Sequence, residues 1–587
     1  MMTLKPQAVK ELIEQRLLRT VLGDFTVILA FGLSLVCYLL GTASTVQGMD
    51  AGEFMTVSAL GGRLHPPGYP SAVYLMQLAQ HLPFGTVAWK ASSVSAVFGA
   101  ATVGVCAAMI FRITLSRVAA LSISLILAVQ PLWLRYFTVA EVFAPAAFAM
   151  ALLTWLAVEV QFGLRGRRVI IWLGLISGFA ATNHHGYVFA GPLVLWIMWA
   201  AQLGIRGSLA SVGLGTLCLV LYLPLLSTDG AWVWGSWSDL EGLFRHIIRA
   251  DYGTLTLRPG SLTVSWWAHP LAYLKLLPMD LMVLPFCLML FGLWRGRTHG
   301  LTWALFGTWV LAGLGFFSMF NIPTTGESGV IAQRFMVPII VLMVPLMAMA
   351  LVDVHRRKEW QLILCTVPVV AASMHVGRVE HGYDTRLEDY IRNTCEQIPD
   401  QSVMIIETDG MIFGMLYAQE VLGLCPTVIM VHPEMMSYSW YIERLRVSDP
   451  DLFEGSIDLP DLIERAQKTR NVYANFSVLG APNRVAALPP AVPELNVFRF
   501  LRPDEVLPLP QVVESNLVTQ MEQTVWNPQP ISPFLEVRTA EVWATNQPAH
   551  AWEALRNAYL VRSDYQSAER ALNYIEIIRL GGWIEQE

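Results

Sequence analysis

The sequence predicts an α-helical polytopic membrane protein of about eleven transmembrane helices, followed by a water-soluble C-terminal region. Composition is the first reason. Of 587 residues, 54% are hydrophobic and 14% charged, against about 25% charged in an ordinary soluble domain. The mean hydropathy of +0.48 agrees. The second reason is a series of long apolar runs separated by short loops, several of them basic. The third is a change of composition after Gly377, beyond which charged and apolar residues alternate as in a soluble fold.

The apolar runs lie at 21–43, 89–111, 117–134, 139–161, 168–183, 186–204, 207–226, 271–294, 301–320, 334–352 and 361–376. The first is too long for a signal-peptide core and is read as a retained anchor. Lys5, Lys10, Arg16 and Arg19 precede it. Alternate loops then carry Arg112 and Arg117, Arg165 to Arg168, Arg206, Arg295 and Arg297, and Arg356 to Lys358. With eleven spans these all fall on one side, which the positive-inside rule makes cytoplasmic. The N-terminus is then cytoplasmic and the C-terminal region extracytoplasmic. A bacterial inner membrane is the first choice of host, and the endoplasmic reticulum the alternative.

The chain divides into a membrane region, 1–376, an α/β region, 377–505, and a proline-rich linker with a helical end, 506–587. In the α/β region, 403–406 and 427–431 read as buried strands flanking a helix at 411–422. In the last part, Ala554, Tyr559, Tyr565, Ala568 and Leu572 fall near the spacing of a tetratricopeptide repeat. One copy of that repeat buries no core by itself, and a plain helical hairpin fits the same residues. The net charge of −6 and the lack of a basic tract argue against nucleic acid as a partner. The seven cysteines are scattered without a CxxC pair and indicate neither a zinc site nor a disulfide framework.

Once topology is assigned, ionisable residues from distant segments gather at the outer face. They are Asp50, Glu53 and His65 after the first run; Glu141 at the start of the fourth; and Asn183, His184 and His185 between the fifth and sixth. Asp229, His246, Arg249 and Asp251 follow in the loop 227–270, then Glu327 and Arg334. Such groups are costly at membrane depth and face cavities or partners. For any one residue a plainer account exists: loops are polar anyway, a helix-end charge reaches water by snorkelling, and Glu141 suits a helix N-terminus. The convergence is what points to a site. In a helix, Asp50 and Glu53 share a face, and two close carboxylates raise one pKa toward the range of a working base. His65-Pro66-Pro67-Gly68-Tyr69-Pro70 then stiffens the loop.

An acidic residue just after the first span resembles the pattern of GT-C glycosyltransferases, which use polyprenyl-phosphate sugars. More narrowly, Asp50-Ala51-Gly52-Glu53-Phe54, the His65–Pro70 segment and Leu82-Pro83-Phe84-Gly85 resemble the protein O-mannosyltransferase-like family long catalogued as a membrane domain of unknown function. Further matches are Ala140-Glu141-Val142-Phe143, Thr182-Asn183-His184-His185, Arg249-Ala250-Asp251-Tyr252-Gly253 and Gln333-Arg334-Phe335. At Thr408-Asp409-Gly410-Met411-Ile412-Phe413 the family often has a polar, Asp-rich stretch. Its loss here weakens any substrate-binding role for that stretch.

The resemblance implies a transferase that moves a sugar, mannose by similarity, from a polyprenyl phosphate to an acceptor hydroxyl on a protein or glycan. By position and by the resemblance, Asp50 is the base that activates the hydroxyl, and Glu53 tunes Asp50 or holds the acceptor. Arg249 and Arg334 are the candidates for the departing phosphate, with His65 and His184 as further donors. Tyr69, Glu141, Asn183, His185, Asp251 and Tyr252 are the remaining substrate-binding candidates. One base and direct displacement imply inversion at the anomeric carbon. No glycine-rich phosphate loop suggests a nucleotide donor. No cofactor is called for; a divalent metal remains compatible with the carboxylates and histidines, though nothing in their spacing demands it. Alternatives are a glycan- or lipid-directed transferase, a transporter, and a scaffold. Transporters usually place polar groups near the midplane and carry repeats, and a scaffold leaves the carboxylates and proline turn unexplained.

Overall fold

The computed structural model describes residues 24–254, 264–280, 282–324, 326–353, 358–375, 384–455, 458–479, 488–523 and 540–579. Asp24 caps α1 (Phe25–Leu40) by accepting the Thr26 N–H at 2.9 Å. Next come α2 (Ala51–Leu60), β1 (Gly62–Arg63), α3 (Pro70–Gln80) and the long α4 (Val87–Thr114). α5 (Arg117–Ala128), α6 (Phe143–Gln161), α7 (Arg167–Asn183), α8 (His185–Ala200) and α9 (Gly204–Ser227) follow. β2 (Trp232–Val233) and α10 (Leu240–Ile247) precede α11 (Ala268–Asp280), α12 (Val283–Arg295), α13 (Gly300–Gly315), α14 (Ile331–Ala350) and α15 (Gln361–Ser373).

Helix fills the larger part of each predicted apolar run. Among the described residues, however, only α4, α6, α9 and α14 are long and apolar enough to cross a membrane. α11 and α12, bent by 108° at their break, make a fifth if the pair is one span. α1, α5, α8, α13 and α15 run only 10–17 residues. At 1.5 Å per residue they fall short of a hydrocarbon core about 30 Å thick. By length and composition alone, four or five candidate spans are therefore found among the described residues, short of the eleven expected. Hydropathy does not register where a helix stops. In the run 117–134, α5 ends at Ala128 and Pro131 starts a separate short helix.

α4 packs against α1, α5 and α6 through buried small residues such as Ala91, Ala96, Ala100 and Ala107, which let helix backbones approach. The direction of each helix fixes what lies at its two ends. Arg112 at the end of α4 pairs with Glu159 at the end of α6 at 2.9 Å, and Arg117 at the start of α5 pairs with Asp24 at 3.0 Å. Arg295, ending α12, pairs with Asp353, just past α14. The opposite ends of these helices carry Asp50, Glu141 and Arg334. The basic pairs and the candidate site thus occupy opposite ends of the bundle. Lys5 to Arg19 and Arg356 and Arg357 lie outside the described residues, as do the side chains of Glu327 and Lys358.

The C-terminal part begins with α16 (Arg386–Gln397) and builds one five-stranded sheet in the order β4-β3-β5-β7-β6. β3 (Val403–Ile405) lies parallel between β4 (Ile429–Val431) and β5 (Val472–Ala474); β7 (Phe498–Phe500) is antiparallel to β5 and to β6 (Ala491–Pro493). α17 (Asp409–Glu420) crosses from β3 to β4, and α18 (Ser439–Ser448) and α19 (Leu459–Gln467) lead to β5. A disulfide joins Cys395 to Cys425. This corrects the reading of the cysteines, because two distant residues in an α/β fold leave no spacing signature. α20 (Pro510–Gln523), α21 (Ala540–Val561) and α22 (Tyr565–Arg579) pack around Trp552, Tyr559 and Leu517, and this cluster reaches the sheet through Phe476 and Leu495. They form a single hairpin on a third helix, and Tyr565, one of the repeat-spaced residues, is 69% exposed.

The soluble part sits directly on the first loop. Thr45 and Gln47 donate to the Asp384 carbonyl at 2.7 and 3.2 Å. α17 lies on α2 so closely that a Cβ at Gly52 would stand 2.2 Å from the Phe413 carbonyl oxygen. Only glycine permits that approach.

Candidate active site

The first loop is assembled by a segment far away in sequence. β1 pairs in parallel with β2, Gly62 opposite Trp232. Arg63 is buried and donates to the carbonyls of Leu225, Trp234, Gly235 and Trp237 at 2.7–3.1 Å, its guanidinium lying 3.5 Å over the Trp237 ring. This clamp ties the loop 227–254 to α2, and between them, α7, α14 and the soluble part a cavity of about 980 Å³ opens.

Asp50 immediately precedes α2, and its Oδ2 accepts from Arg334 Nη1 at 2.7 Å. The same Nη1 reaches Glu141 Oε1 at 3.3 Å. Asp50 and Arg334 line the cavity; Glu141, 2% exposed, stands behind them. Burial pushes the Asp50 carboxyl upward, but the charges of Arg334, His65 and Arg249 outweigh it and hold the group below the ordinary carboxylate range. Asp50 is therefore ionised at neutral pH.

Glu53 does not turn toward Asp50. It is fully buried, and its Oε1 accepts from Trp232 Nε1 at 2.8 Å and from the His65 N–H at 2.9 Å, while Oε2 meets His65 Nδ1 at 2.5 Å. The far nitrogen of His65 reaches the Tyr69 hydroxyl at 3.1 Å. Burial drives the His65 pKa down, yet Glu53 and Asp50 reverse this and raise it to about 8. Glu53 thus orients and charges an imidazole that lines the cavity, and is itself shielded from it. This differs from the expected acceptor contact, because Trp232 arrives from the distant loop and closes over the carboxylate.

His184 lines the cavity beside Tyr69, Phe143 and Phe335. Its Nδ1 accepts the Gly186 N–H at 3.0 Å, and burial lowers its pKa to about 3, so the neutral ring carries its proton on Nε2. His185 lines the cavity too, 3.5 Å from the Tyr222 hydroxyl. Arg249, in the left-handed region with φ 57°, lies 5.1 Å over the Tyr252 ring. Among the described residues it has no ion pair, and its buried Nε lacks a hydrogen-bond partner. The structure thereby separates the two arginines: Arg334 is held by two carboxylates, Arg249 by none among the described residues.

Tyr69 and Tyr252 line the cavity. Asn183 and Asp251 do not. Asn183 is buried and donates to the Val142 carbonyl at 3.1 Å; Asp251 accepts from Trp234 Nε1 at 3.0 Å. Asp229 is exposed and His246 is packed under Trp237, also off the cavity wall.

The soluble part supplies a wall that sequence reasoning missed. Glu407, Thr408, Asp409 and Phe413 follow β3, and His432, Glu434 and Tyr438 follow β4. Thr408, Asp409 and Phe413 of the segment 408–413, whose lost polar residues argued against a substrate-binding role, line the cavity. The carboxyl ends of parallel strands are the usual binding edge of an α/β sheet, and a strand leading into Glu407-Thr408-Asp409 was the available signal. Val188, Phe189, Phe316, Phe320 and Ile331 make the remaining wall apolar. No cluster of three or more His, Cys, Asp or Glu suited to a metal ion occurs among the described residues.

Residues 50–203 match the family model described as the protein O-mannosyl-transferase TMEM260 N-terminal domain. The chain is 25% identical over 436 residues to protein O-mannosyl-transferase TMEM260 of Mus musculus, covering 68% of this chain and 61% of that protein. It is 22% identical over 489 residues to the protein O-mannosyl-transferase tmem260 of Dictyostelium discoideum, covering 73% and 59%. The matches thus span about three-fifths of each relative. Among solved structures, ArnT from Cupriavidus metallidurans bound to undecaprenyl phosphate superposes with a TM-score of 0.53 at 13% identity, over 82% of this chain and 99% of ArnT. The membrane part and the soluble part together therefore share the fold of ArnT.

Proposed function

We propose that this protein is a membrane glycosyltransferase that moves mannose from a polyprenyl-phosphate donor to a hydroxyl of a protein acceptor at the extracytoplasmic face. One observation carries the reading: an ionised Asp50 and an Arg249 with no ion pair among the described residues share a cavity that also has an apolar wall of Val188, Phe189, Phe316, Phe320 and Ile331. The donor is an amphiphile with a phosphate, and it matches that division. The names of the mouse and Dictyostelium relatives supply the sugar and the acceptor class, and the ArnT complex supplies the lipid phosphate.

In the reaction, the acceptor hydroxyl approaches the anomeric carbon from the side of Asp50 and gives its proton to the carboxylate. The new carbon–oxygen bond forms as the bond to the phosphate oxygen breaks, and the electron pair leaves with the polyprenyl phosphate. Arg249 receives the growing negative charge, and the neutral His184 and charged His65 are nearby donors. Displacement from the opposite side inverts the anomeric carbon. The fixed cations do the work a metal would otherwise do, so no cofactor is required. The Cys395–Cys425 disulfide suits an oxidising compartment. The basic pairs at the far end of the bundle suit a cytoplasmic side. Both support an extracytoplasmic site.

The test is transfer from radiolabelled polyprenyl-phosphate mannose by the purified protein to protein, glycan and lipid acceptors, with and without a chelator. The proposal expects label on protein hydroxyls, chelator-insensitive, with the anomeric configuration opposite to the donor's. Label only on a glycan or lipid overturns the acceptor, retention overturns the displacement, and no transfer to any acceptor overturns the reading.

A further inference from the structure

We propose that the soluble C-terminal part reads the sugar: the aromatic cluster where it meets the loop 227–254, with the acidic ends of β3 and β4, is the subsite for the donor's hexose ring. This rests on the glycosyltransferase reading above and goes beyond it in giving the C-terminal part a substrate to bind.

The first ground is continuity from the phosphate candidate. The Arg249 guanidinium lies over the Tyr252 ring, and Tyr252 stacks on Trp234 with ring centres 6.1 Å apart. Trp234 in turn packs against Tyr438 of the soluble part at 5.9 Å. Trp234, Tyr252 and Tyr438 all line the cavity. In a sugar phosphate the ring is one oxygen from phosphorus. A phosphate at Arg249 therefore brings the ring toward the partly exposed Tyr252 and Tyr438, with the buried Trp234 behind them, and aromatic rings pack against the C–H face of a pyranose as they do against one another.

The second ground is charge. The cavity wall from the membrane part carries Arg249, Arg334 and the charged His65 against one carboxylate, Asp50, which Arg334 pairs; the wall from the soluble part carries the carboxylates of Glu407, Asp409 and Glu434. Carboxylates repel a phosphate but accept strong hydrogen bonds from neutral hydroxyls. The two walls thus sort a sugar phosphate into its two halves. The third ground is that the wall is built rather than loosely opposed. Tyr438 donates its hydroxyl to the Asp251 carbonyl at 3.4 Å, and Arg444 donates to the Ala231 carbonyl at 2.9 Å from 4.8 Å over the Trp232 ring. With Gly52 seated against Phe413, these contacts hold the soluble part in register with the membrane part.

The experiment measures equilibrium binding of undecaprenyl phosphate and of undecaprenyl phosphate mannose to the full-length protein in lipid nanodiscs. Wild type is compared with Tyr438→Ala and Glu434→Gln. The proposal expects wild type to prefer the mannosylated lipid. Tyr438→Ala is expected to weaken that lipid by about five- to tenfold, as loss of a stacked ring does, while bare undecaprenyl phosphate binds as before. Glu434→Gln gives the same pattern with a smaller loss. Unchanged binding of the bare lipid also shows that the variants are folded. Equal losses on both lipids, or none on either, overturn the subsite. Wild type that binds both lipids equally overturns the subsite and leaves the parent reading standing; wild type that binds neither overturns both.

Discussion

Replacing Glu53 by glutamine is the most informative perturbation, because its consequences follow from three hydrogen bonds. The Glu53→Gln side chain keeps an oxygen for the Trp232 and His65 N–H groups but presents an amide N–H to His65 Nδ1, where the carboxylate now stands 2.5 Å away. The imidazole loses the charge that holds its pKa at about 8 against burial. The sign follows from linkage. A histidine whose folded pKa lies above its unfolded value adds stability that is complete below the unfolded pKa and disappears as pH rises through the folded one. A rise from 6.5 to about 8 corresponds to about 2 kcal/mol. Wild type should therefore exceed Glu53→Gln in stability most strongly below pH 6.5, and the gap should narrow by about 2 kcal/mol as the pH passes 8. The assay is the thermal midpoint of both proteins across pH 6 to 9, where that energy moves the difference by a few degrees. Parallel pH profiles would refute the ion pair. The same exchange tests positioning: turnover should fall with its pH optimum displaced, and Glu53→Asp should restore part of it.

Four further outcomes follow from the packing, the charges and the disulfide. Gly52→Ala drives a methyl to 2.2 Å from the Phe413 carbonyl and should cost about 1–3 kcal/mol, read as faster proteolytic release of the C-terminal part. Arg249→Met removes a guanidinium that has no ion pair among the described residues. Stability should stay within about 1 kcal/mol, while affinity for undecaprenyl phosphate falls about 10- to 100-fold; Arg334→Met should instead destabilise by about 3–5 kcal/mol, because two buried carboxylates lose their cation. Cys395→Ser opens a bridge between residues 30 apart and should lower the stability of the α/β part by about 3–4 kcal/mol, seen in denaturant unfolding without reductant.

Much of the site was legible because ionisable residues stand out in an apolar chain. Asp50, His65, His184, Arg249 and Arg334, drawn from distant segments, line one cavity. Other features were hidden for physical reasons. The three-residue spacing of Asp50 and Glu53 predicted facing carboxylates, but Asp50 precedes the helix and turns to Arg334, while Trp232, 179 residues away, captures Glu53. Spacing along a helix says nothing about a partner from another loop. In the soluble part, Glu407, Asp409 and Glu434 look like any solvated charges, and only the docking of α17 on α2 gives them a cavity to face. The apolar runs predicted helices, but the break that ends α5 at Ala128 is local geometry that hydropathy does not encode.

The central claim is that Asp50 takes the proton of the acceptor hydroxyl. The measurement that tests it most directly is mannose transfer by Asp50→Asn, with donor binding and thermal stability followed on the same preparation. Asparagine still offers an oxygen to Arg334, which also keeps Glu141, so folding and donor affinity should survive. Turnover should fall about 100- to 10,000-fold, as it does when a general base is removed. Transfer at the wild-type rate by a folded, donor-binding Asp50→Asn would contradict the account.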